Sequence, residues 1–247
     1  MKKLVVVLMI LCVTCSSVFA QAMAEQQTVM IKWGSVHTPE SLTTQMMNRV
    51  ITNVNEKTQG RVKIEGSYFR NKPDGIRREY DSLGNIVKGY VFSEGILLGE
   101  GIIDGAGKKQ GPWKEYYETG ELMASGTYRN NERTGSWTFY HKNGKVEQKG
   151  SYTNKGIPDG EWNYYYESGN LLRKEYYSDG EPEEEYIEYS DSGEVIVKGT
   201  FTEGLESGEW YYAIGDVIET GKYQDGVQVD WWEQRSKSDG QLIFKGK

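Results

Sequence analysis

Short stretches that alternate hydrophobic and polar residues, separated by turns containing glycine, fill most of this 247-residue chain. From Gly66 onward one pattern recurs every 22 to 25 residues after Gly101: glycine, then tyrosine or phenylalanine, a polar turn, tryptophan, and a second turn ending in glycine and an aliphatic residue. Period-2 alternation between such turns predicts antiparallel β-hairpins. A repeat of this length is typical of repeat proteins. The pattern predicts seven hairpin copies over residues 66–247.

The copies align at three positions. Copies begin at Gly66, Gly101, Gly126, Gly150, Glu175, Gly199 and Gly221. The tryptophan site holds Arg77 or the nearby Tyr80, then Trp113, Trp137, Trp162, Tyr186, Trp210 and Trp232. The turn glycines are Gly84, Gly120, Gly144, Gly169, Gly193, Gly215 and Gly240. The copy at 175–198 departs from the pattern, and residues 90–100 form an irregular insertion or half a unit.

Alternation along a strand places Trp113 and Tyr117 on one face, and Trp137, Phe139 and His141 on one face of the next copy. A single hairpin cannot bury such a face, so stability must come from neighbouring copies. The sequence therefore predicts a mainly β fold, an elongated array of antiparallel hairpins in one twisted sheet or solenoid. We expect one surface of this sheet to carry aromatic ladders.

Residues 28–65 do not follow the repeat pattern of residues 66–247. A strand is predicted at Thr28 to Trp33 and another at Arg61 to Glu65. Between them, apolar residues spaced three and four apart predict an amphipathic helix at about 39–58, which begins with a hydroxyl, a proline and an acid. The segment is predicted to be a β-α-β unit that precedes the repeats.

The N-terminus has the pattern of an export signal. Lys2 and Lys3 precede an apolar stretch that is too short to span a bilayer, and small residues follow it. Residues 1–20 are predicted to be a signal peptide, with cleavage after Ala20 or after Ala24. A lipoprotein modified at Cys15 and an uncleaved anchor are the alternatives. The prediction places the mature protein in the periplasm or cell envelope, with no transmembrane span after cleavage.

Composition then narrows the function classes. The chain has 30 glycines and 18 tyrosines but two histidines, and its two cysteines lie within the predicted signal. A mature chain without cysteine has no disulfide and no thiolate metal site. Removing two lysines leaves 27 basic against 36 acidic residues, a net charge of −9. Such an acidic protein should repel nucleic acid and anionic lipid headgroups.

Enzyme motifs are missing from the sequence. The two histidines, His37 and His141, are expected in a loop and on a strand face, and no Gly-x-Ser-x-Gly elbow is present. We predict no catalytic residue, no cofactor and no metal site. An acidic patch of Glu183, Glu184, Glu185 and Glu188 lacks the loop of a calcium site. We expect these carboxylates to be solvated, and they form a candidate recognition patch for a basic partner.

Two segments resemble known families. The recurring Gly-x-Trp-x-x-Tyr-Tyr-x-x-Gly-x-Leu pattern over residues 66–247 resembles variant MORN repeats of the YwqK-type antitoxin kind. That resemblance implies a hairpin array and binding to proteins. The run Ile31-Lys32-Trp33-Gly34, with Glu56 to Ile64, looks like the start of TRAP-transporter solute-binding proteins, which are periplasmic receptors for small carboxylates. This second match covers about 40 residues.

The function predicted first is an exported, non-enzymatic repeat scaffold that binds a protein through its aromatic face or its sheet edges, where self-association could also occur. The alternatives are a cell-wall or carbohydrate-binding repeat protein and a fragment of a TRAP-type receptor. Because residues 28–65 and residues 66–247 have unlike sequence patterns, a chimeric or truncated chain is also predicted. Candidate binding residues on the aromatic face are Trp113, Tyr117, Trp137, Phe139, Trp162, Tyr164, Trp210, Tyr212 and Trp232.

Overall fold

A computed structural model describes residues 29–35, 62–70, 72–81 and 83–246, and for residues 29–35, 62–65 and 68 the course of the backbone alone. These residues form two compact units, divided after Gly120. The first unit contains β1 (Val29–Ser35), β2 (Val62–Phe69), β3 (Lys72–Tyr80), β4 (Ile86–Ser93), β5 (Ile96–Ile103) and β6 (Lys109–Tyr116).

The second unit, from Glu121, contains eleven strands. They are β7 (Leu122–Arg129), β8 (Glu132–Tyr140), β9 (Val146–Tyr152), β10 (Pro158–Tyr165), β11 (Leu171–Ser178), β12 (Glu181–Tyr189), β13 (Val195–Thr202), β14 (Leu205–Ile214), β15 (Val217–Gln224), β16 (Val227–Ser236) and β17 (Leu242–Gly246). Each strand pairs antiparallel with the next, from β7 to β17. The predicted array of antiparallel hairpins is confirmed.

In the first unit, β1 and β2 pair in parallel, with Val29 opposite Val62. Strands β2 to β6 then pair antiparallel in sequence order. A parallel pair needs a crossover connection, and residues 36–61 connect these two strands. The predicted helix at 39–58, the predicted signal at 1–20 and His37 lie outside the described residues. No helix occurs among the residues that the structure describes, so none of them forms a helix that could cross a membrane.

The glycines predicted to end the second turn of each copy have the backbone conformation that favours glycine. All seven, from Gly84 to Gly240, have φ between 58° and 102°. Side chains with a Cβ pay a steric penalty in this left-handed region, and glycine does not. The turn positions read from the sequence are therefore confirmed.

Of the two alternatives predicted for residues 90–100, half a unit fits better than an irregular insertion, because β4 and β5 form a tight hairpin through Glu94 and Gly95. Between the tryptophan-site strands β3 and β6 there are consequently two strands, whereas one strand separates β8 from β10. Since consecutive strands are antiparallel, β3 and β6 run in opposite directions. The strand register also places Arg77 in one row with Tyr90 and Glu100. That row lies on the face opposite Trp113, which pairs with Gly101.

Candidate functional site: the tryptophan row and an exposed groove

Each regular tryptophan ring lies on the glycine that begins its own copy. A Cβ built on Gly150 would lie 2.1 Å from Cδ2 of Trp162, and one built on Gly126 would lie 2.2 Å from Cδ2 of Trp137. Only a residue without a side chain leaves room for an indole at that distance. The pairs are Gly101–Trp113, Gly126–Trp137, Gly150–Trp162, Gly199–Trp210 and Gly221–Trp232.

A β-bulge lies two residues before each tryptophan site and turns the chain there. Gly135, Gly160 and Gly208 occupy this position with φ of 63°, 77° and 70°. The pairing register shifts in the same places, for example between Ser125 and Thr127 on the strand that faces Gly135. A bulge redirects the following side chain. Glycine at the bulge and glycine beneath the ring therefore serve different purposes.

The tryptophan rings form the core of the sheet. Trp113, Trp137, Trp162, Trp210 and Trp232 are between 1% and 6% exposed. Neighbouring aromatic rings contact the indoles edge-on. The ring of Tyr152, for example, lies with its centroid 5.1 Å from that of Trp162, which is a preferred aromatic geometry. The Arg133 guanidinium lies 4.7 Å from the centre of the Trp137 ring. These flat faces are thus covered by the protein itself.

The predicted binding residues on this face differ in accessibility. Phe139 is buried together with the tryptophans, whereas Tyr117, Tyr164 and Tyr212 are half-buried. A partner that approached this face would meet the half-buried tyrosines and the arginines before any indole. Binding through this set of residues stays a prediction.

One tryptophan within the repeats points away from the row. Trp231 on β16 precedes Trp232, so alternation sends its side chain to the other face, where it is 55% exposed. It lines an open groove of about 530 Å³ together with Lys198, Glu209, Tyr211, Lys222 and Asp230. Trp231 is not among the binding residues predicted from the sequence. The sequence nevertheless marks Trp231 as unusual. In the other regular copies the residue before the tryptophan site is not aromatic but is Pro112, Ser136, Glu161 or Glu209.

The comparisons with known proteins agree with this geometry in the middle of the chain. A family model described as "MORN repeat variant" matches residues 109–130, 133–154 and 158–179, which include the Trp113, Trp137 and Trp162 copies. Residues 109–179 carry variant MORN repeats. Repeats of this family commonly serve as scaffolds, without enzymatic activity, that bind proteins or membranes.

The other two comparisons add little. The search of curated proteins gave no match. Among solved structures, the chain is similar to "Crystal structure of GtfA/B complex bound to UDP and GlcNAc", at 13% identity and a TM-score of 0.22. The match covers 45% of this chain and 22% of that one. A likeness this distant carries no argument about fold or function.

The copy that begins at Glu175 departs from the MORN pattern at both paired positions, with glutamate for glycine and Tyr186 for tryptophan. Glu175 is buried and accepts a hydrogen bond of 2.8 Å from the Tyr177 hydroxyl. Arg173 forms an ion pair with it at 3.3 Å and lies 4.1 Å from the ring centre of Tyr164. A polar cluster therefore fills the space that an indole occupies elsewhere.

Burial is the main cause of the shifted acidities in this cluster. It raises the pKa of Tyr164, and the hydrogen bond to Glu175 adds to the effect. Burial, followed by the hydrogen bond to Glu188, raises the pKa of Tyr186 to about 12. Both hydroxyls are held protonated as donors to carboxylates. The cluster is thus held by hydrogen bonds from tyrosine hydroxyls to carboxylates and by the ion pair of Arg173 with Glu175, while Arg173 Nε is buried without a hydrogen-bond partner.

The four residues of the predicted acidic patch are engaged by different neighbours. Glu185 pairs with Lys198 at 2.8 Å, and Glu188 accepts from the Tyr186 hydroxyl at 2.9 Å. The Glu183 carboxylate accepts from the Glu203 amide at 2.7 Å, and Glu184 forms the bulge with φ of 61°. In the part of the chain that the structure describes, no group of three His, Cys, Asp or Glu residues could hold a metal ion.

His141 lies in a turn, and the expectation of a strand-face residue was wrong. Strand β8 ends at Tyr140, and the amide of His141 donates to the carbonyl of Lys145 across the turn. Its Nε2 lies 2.9 Å from the carbonyl oxygen of Tyr165, which belongs to β10. The Tyr166 hydroxyl donates in the same way to the Tyr189 carbonyl at 2.7 Å. Side chains at this turn position thus connect strands that are two apart.

Proposed function

We propose that this chain is an exported, non-enzymatic scaffold that binds a protein partner in the cell envelope. The MORN repeats at 109–179 support the scaffold, and the signal-like pattern of Lys2, Lys3 and the apolar stretch after them supports export. The resemblance to antitoxin-type repeats points to a toxin as one class of partner.

The observation that carries the proposal is the exposure of β17. Within its unit this strand has a strand neighbour on one side, where it pairs with β16. Leu242, Ile243 and Phe244 are 46%, 57% and 55% exposed although successive side chains point to opposite faces. A strand that exposes apolar side chains on both of its faces offers a surface on which a partner can pack or add a strand. Such a strand fits a binding scaffold.

Site-specific cross-linking tests the proposal. A photo-reactive phenylalanine analogue replaces Phe244 in one sample and Ile214 in another, and both are expressed in a bacterial host and followed by cell fractionation. Ile214 is the matched control because it is 64% exposed and lies at the end of β14. We expect the envelope fraction to contain the protein, and one adduct of defined mass from position 244.

The outcomes separate the parts of the proposal. Retention of the protein in the cytoplasmic fraction would contradict export. Adducts of equal yield at 244 and 214, or none at either, would contradict binding at β17. An adduct of twice the mass of the chain would show that β17 pairs with a second copy, which replaces the partner with self-association.

A further inference from the structure

Trp231 lies outside the tryptophan site of the repeat pattern. Among the repeats, Trp113, Trp137, Trp162, Trp210 and Trp232 all occupy the tryptophan site and are buried. Trp231 is the additional indole, on the opposite face and more than half exposed. Exposing an indole in this way forgoes the hydrophobic free energy that burial would contribute. A side chain retained at this cost is a candidate for contact with a ligand.

The residue next to it departs from the repeat as well. Asp230 has φ of 59° at the bulge position that is glycine in the Trp137, Trp162 and Trp210 copies. A non-glycine residue there is strained, and strained backbone is concentrated at functional sites. Asp230 and Trp231 line the same groove. Two neighbouring departures from the repeat thus meet in one place.

The groove combines charges of both signs beside the indole. Lys222 Nζ lies 3.8 Å from a carboxylate oxygen of Glu209, and both side chains are more than half exposed. The Tyr211 hydroxyl and the Asp230 carboxylate are further polar groups along the groove. Donors and acceptors therefore lie together in one groove with an aromatic side chain.

We propose that this groove binds a neutral sugar ring of a glycan. The apolar C–H face of the ring stacks on Trp231, as amphipathic ligands do on aromatic side chains. The ammonium of Lys222 donates to one ring hydroxyl while Glu209 and Asp230 accept from neighbouring ones. Adjacent hydroxyls of a sugar are both donors and acceptors, so a close ammonium–carboxylate pair can serve two of them.

The charges argue against charged ligands in the same place. A cationic peptide could stack on the indole, but it would meet the ammonium groups of Lys198 and Lys222 in the groove. An anionic ligand would meet the carboxylates of Glu209 and Asp230. A neutral polyhydroxyl ligand meets neither repulsion, and for that reason the groove favours it.

The test uses the full chain and four defined probes: cellohexaose, chitohexaose, xylohexaose and maltohexaose. Binding is measured by calorimetry and by tryptophan fluorescence, which reports the exposed indole. We expect at least one probe to bind with a dissociation constant on the order of 0.1 to 1 mM, the range of a shallow site. Trp231→Ala should weaken that binding by at least about tenfold. Val227→Ala, on the same strand and 64% exposed, should leave binding unchanged.

Asp230→Gly separates a binding role from a structural one. It removes the strain and should raise the thermal midpoint, yet it should weaken sugar binding because an acceptor is lost. Binding of no probe, or binding that Trp231→Ala leaves unchanged, would overturn the proposal. So would a hexalysine peptide that binds tightly and loses its affinity in Trp231→Ala, because the groove would then be a site for cations.

Discussion

Two neighbouring hairpins fill the same site in different ways. In the copy formed by β9 and β10, the indole of Trp162 lies directly on the bare backbone of Gly150. In the next copy, formed by β11 and β12, Tyr186 replaces the indole and Glu175 replaces the glycine. The smaller ring leaves space, and the carboxylate of Glu175 with the guanidinium of Arg173 fills it.

The difference teaches that the two positions act as one pair. Glycine alone would leave a cavity under a tyrosine, and glutamate alone would collide with an indole. An apolar stack needs close fit, whereas a buried polar cluster needs every donor and acceptor satisfied. Both arrangements fill the space on this face of the sheet. A copy that combined one residue of each arrangement should be less stable.

The largest effect should follow from filling the space under an indole. Gly150→Ala puts a Cβ 2.1 Å from the Trp162 ring. The ring must move, and we expect the free energy of unfolding to fall by about 1 to 3 kcal/mol in urea titrations. Gly105→Ala is the control, because a Cβ there meets nothing within 4 Å. Equal losses in the two variants would show that the glycine is needed for backbone freedom alone.

A double-mutant cycle tests the pair directly. Glu175→Gly removes the acceptor of Arg173 and Tyr177, and Tyr186→Trp drives an indole against the Glu175 side chain. Each single change should destabilise the protein, and the double variant should regain part of the loss. We expect a favourable coupling of about 1 to 2 kcal/mol in the free energy of unfolding. Additive losses would mean that the two positions are independent.

The bulges offer a smaller and opposite test. Glu184→Gly relieves a glutamate with φ of 61°, and Gly208→Ala imposes a side chain at the same position of a regular copy, where φ is 70°. We expect the first to stabilise and the second to destabilise the protein, each by about 1 kcal/mol, in thermal unfolding. Destabilisation by both changes would indicate that Glu184 makes contacts worth more than its strain.

The smallest effect concerns alkaline pH and belongs to the departing copy. The pKa of Tyr186 is raised to about 12 in the folded protein. The unfolded chain loses this proton near pH 10, earlier than the folded one, so stability should fall as the pH rises from about 10 to about 12. Tyr186→Phe should remove a part of that fall, below about 1 kcal/mol because the ring is partly solvated. An unchanged pH profile of the urea midpoint would contradict this assignment.

Much of the fold could be predicted from sequence because the hairpin pattern is local. The turn glycines, such as Gly144 and Gly169, recur two residues before an aliphatic residue, and their left-handed φ follows from turn geometry. The additional strand in the β4–β5 hairpin could be recognised only as an irregular spacing or half a unit, because strand pairing depends on neighbours. The opposite directions of the tryptophan-site strands β3 and β6 cannot be deduced from composition.

The site was harder to predict than the fold. The tryptophans were expected on a face of aromatic ladders and named as candidate binding residues, but their accessibility could not be predicted, since alternation fixes the face of a side chain and not what covers it. Their burial depends on neighbours such as Tyr152, which meets the ring of Trp162 from an adjacent strand. Trp231 was missed because the adjacent Trp232 satisfied the pattern. Comparing each position across all copies would have marked it.

The contact between each tryptophan and the glycine before it also constrains how such a protein can grow. The partners lie on consecutive strands and 11 or 12 residues apart, as in Gly126–Trp137 and Gly150–Trp162. A duplication or deletion that separated the two partners would place an indole against a side chain and not against a glycine. Within the regular copies, recombination is therefore expected in steps of one glycine strand plus one tryptophan strand, whereas the two strands between β3 and β6 show that a single strand can be added outside such a pair. The number of intact glycine–tryptophan pairs should therefore record how often the regular unit was duplicated.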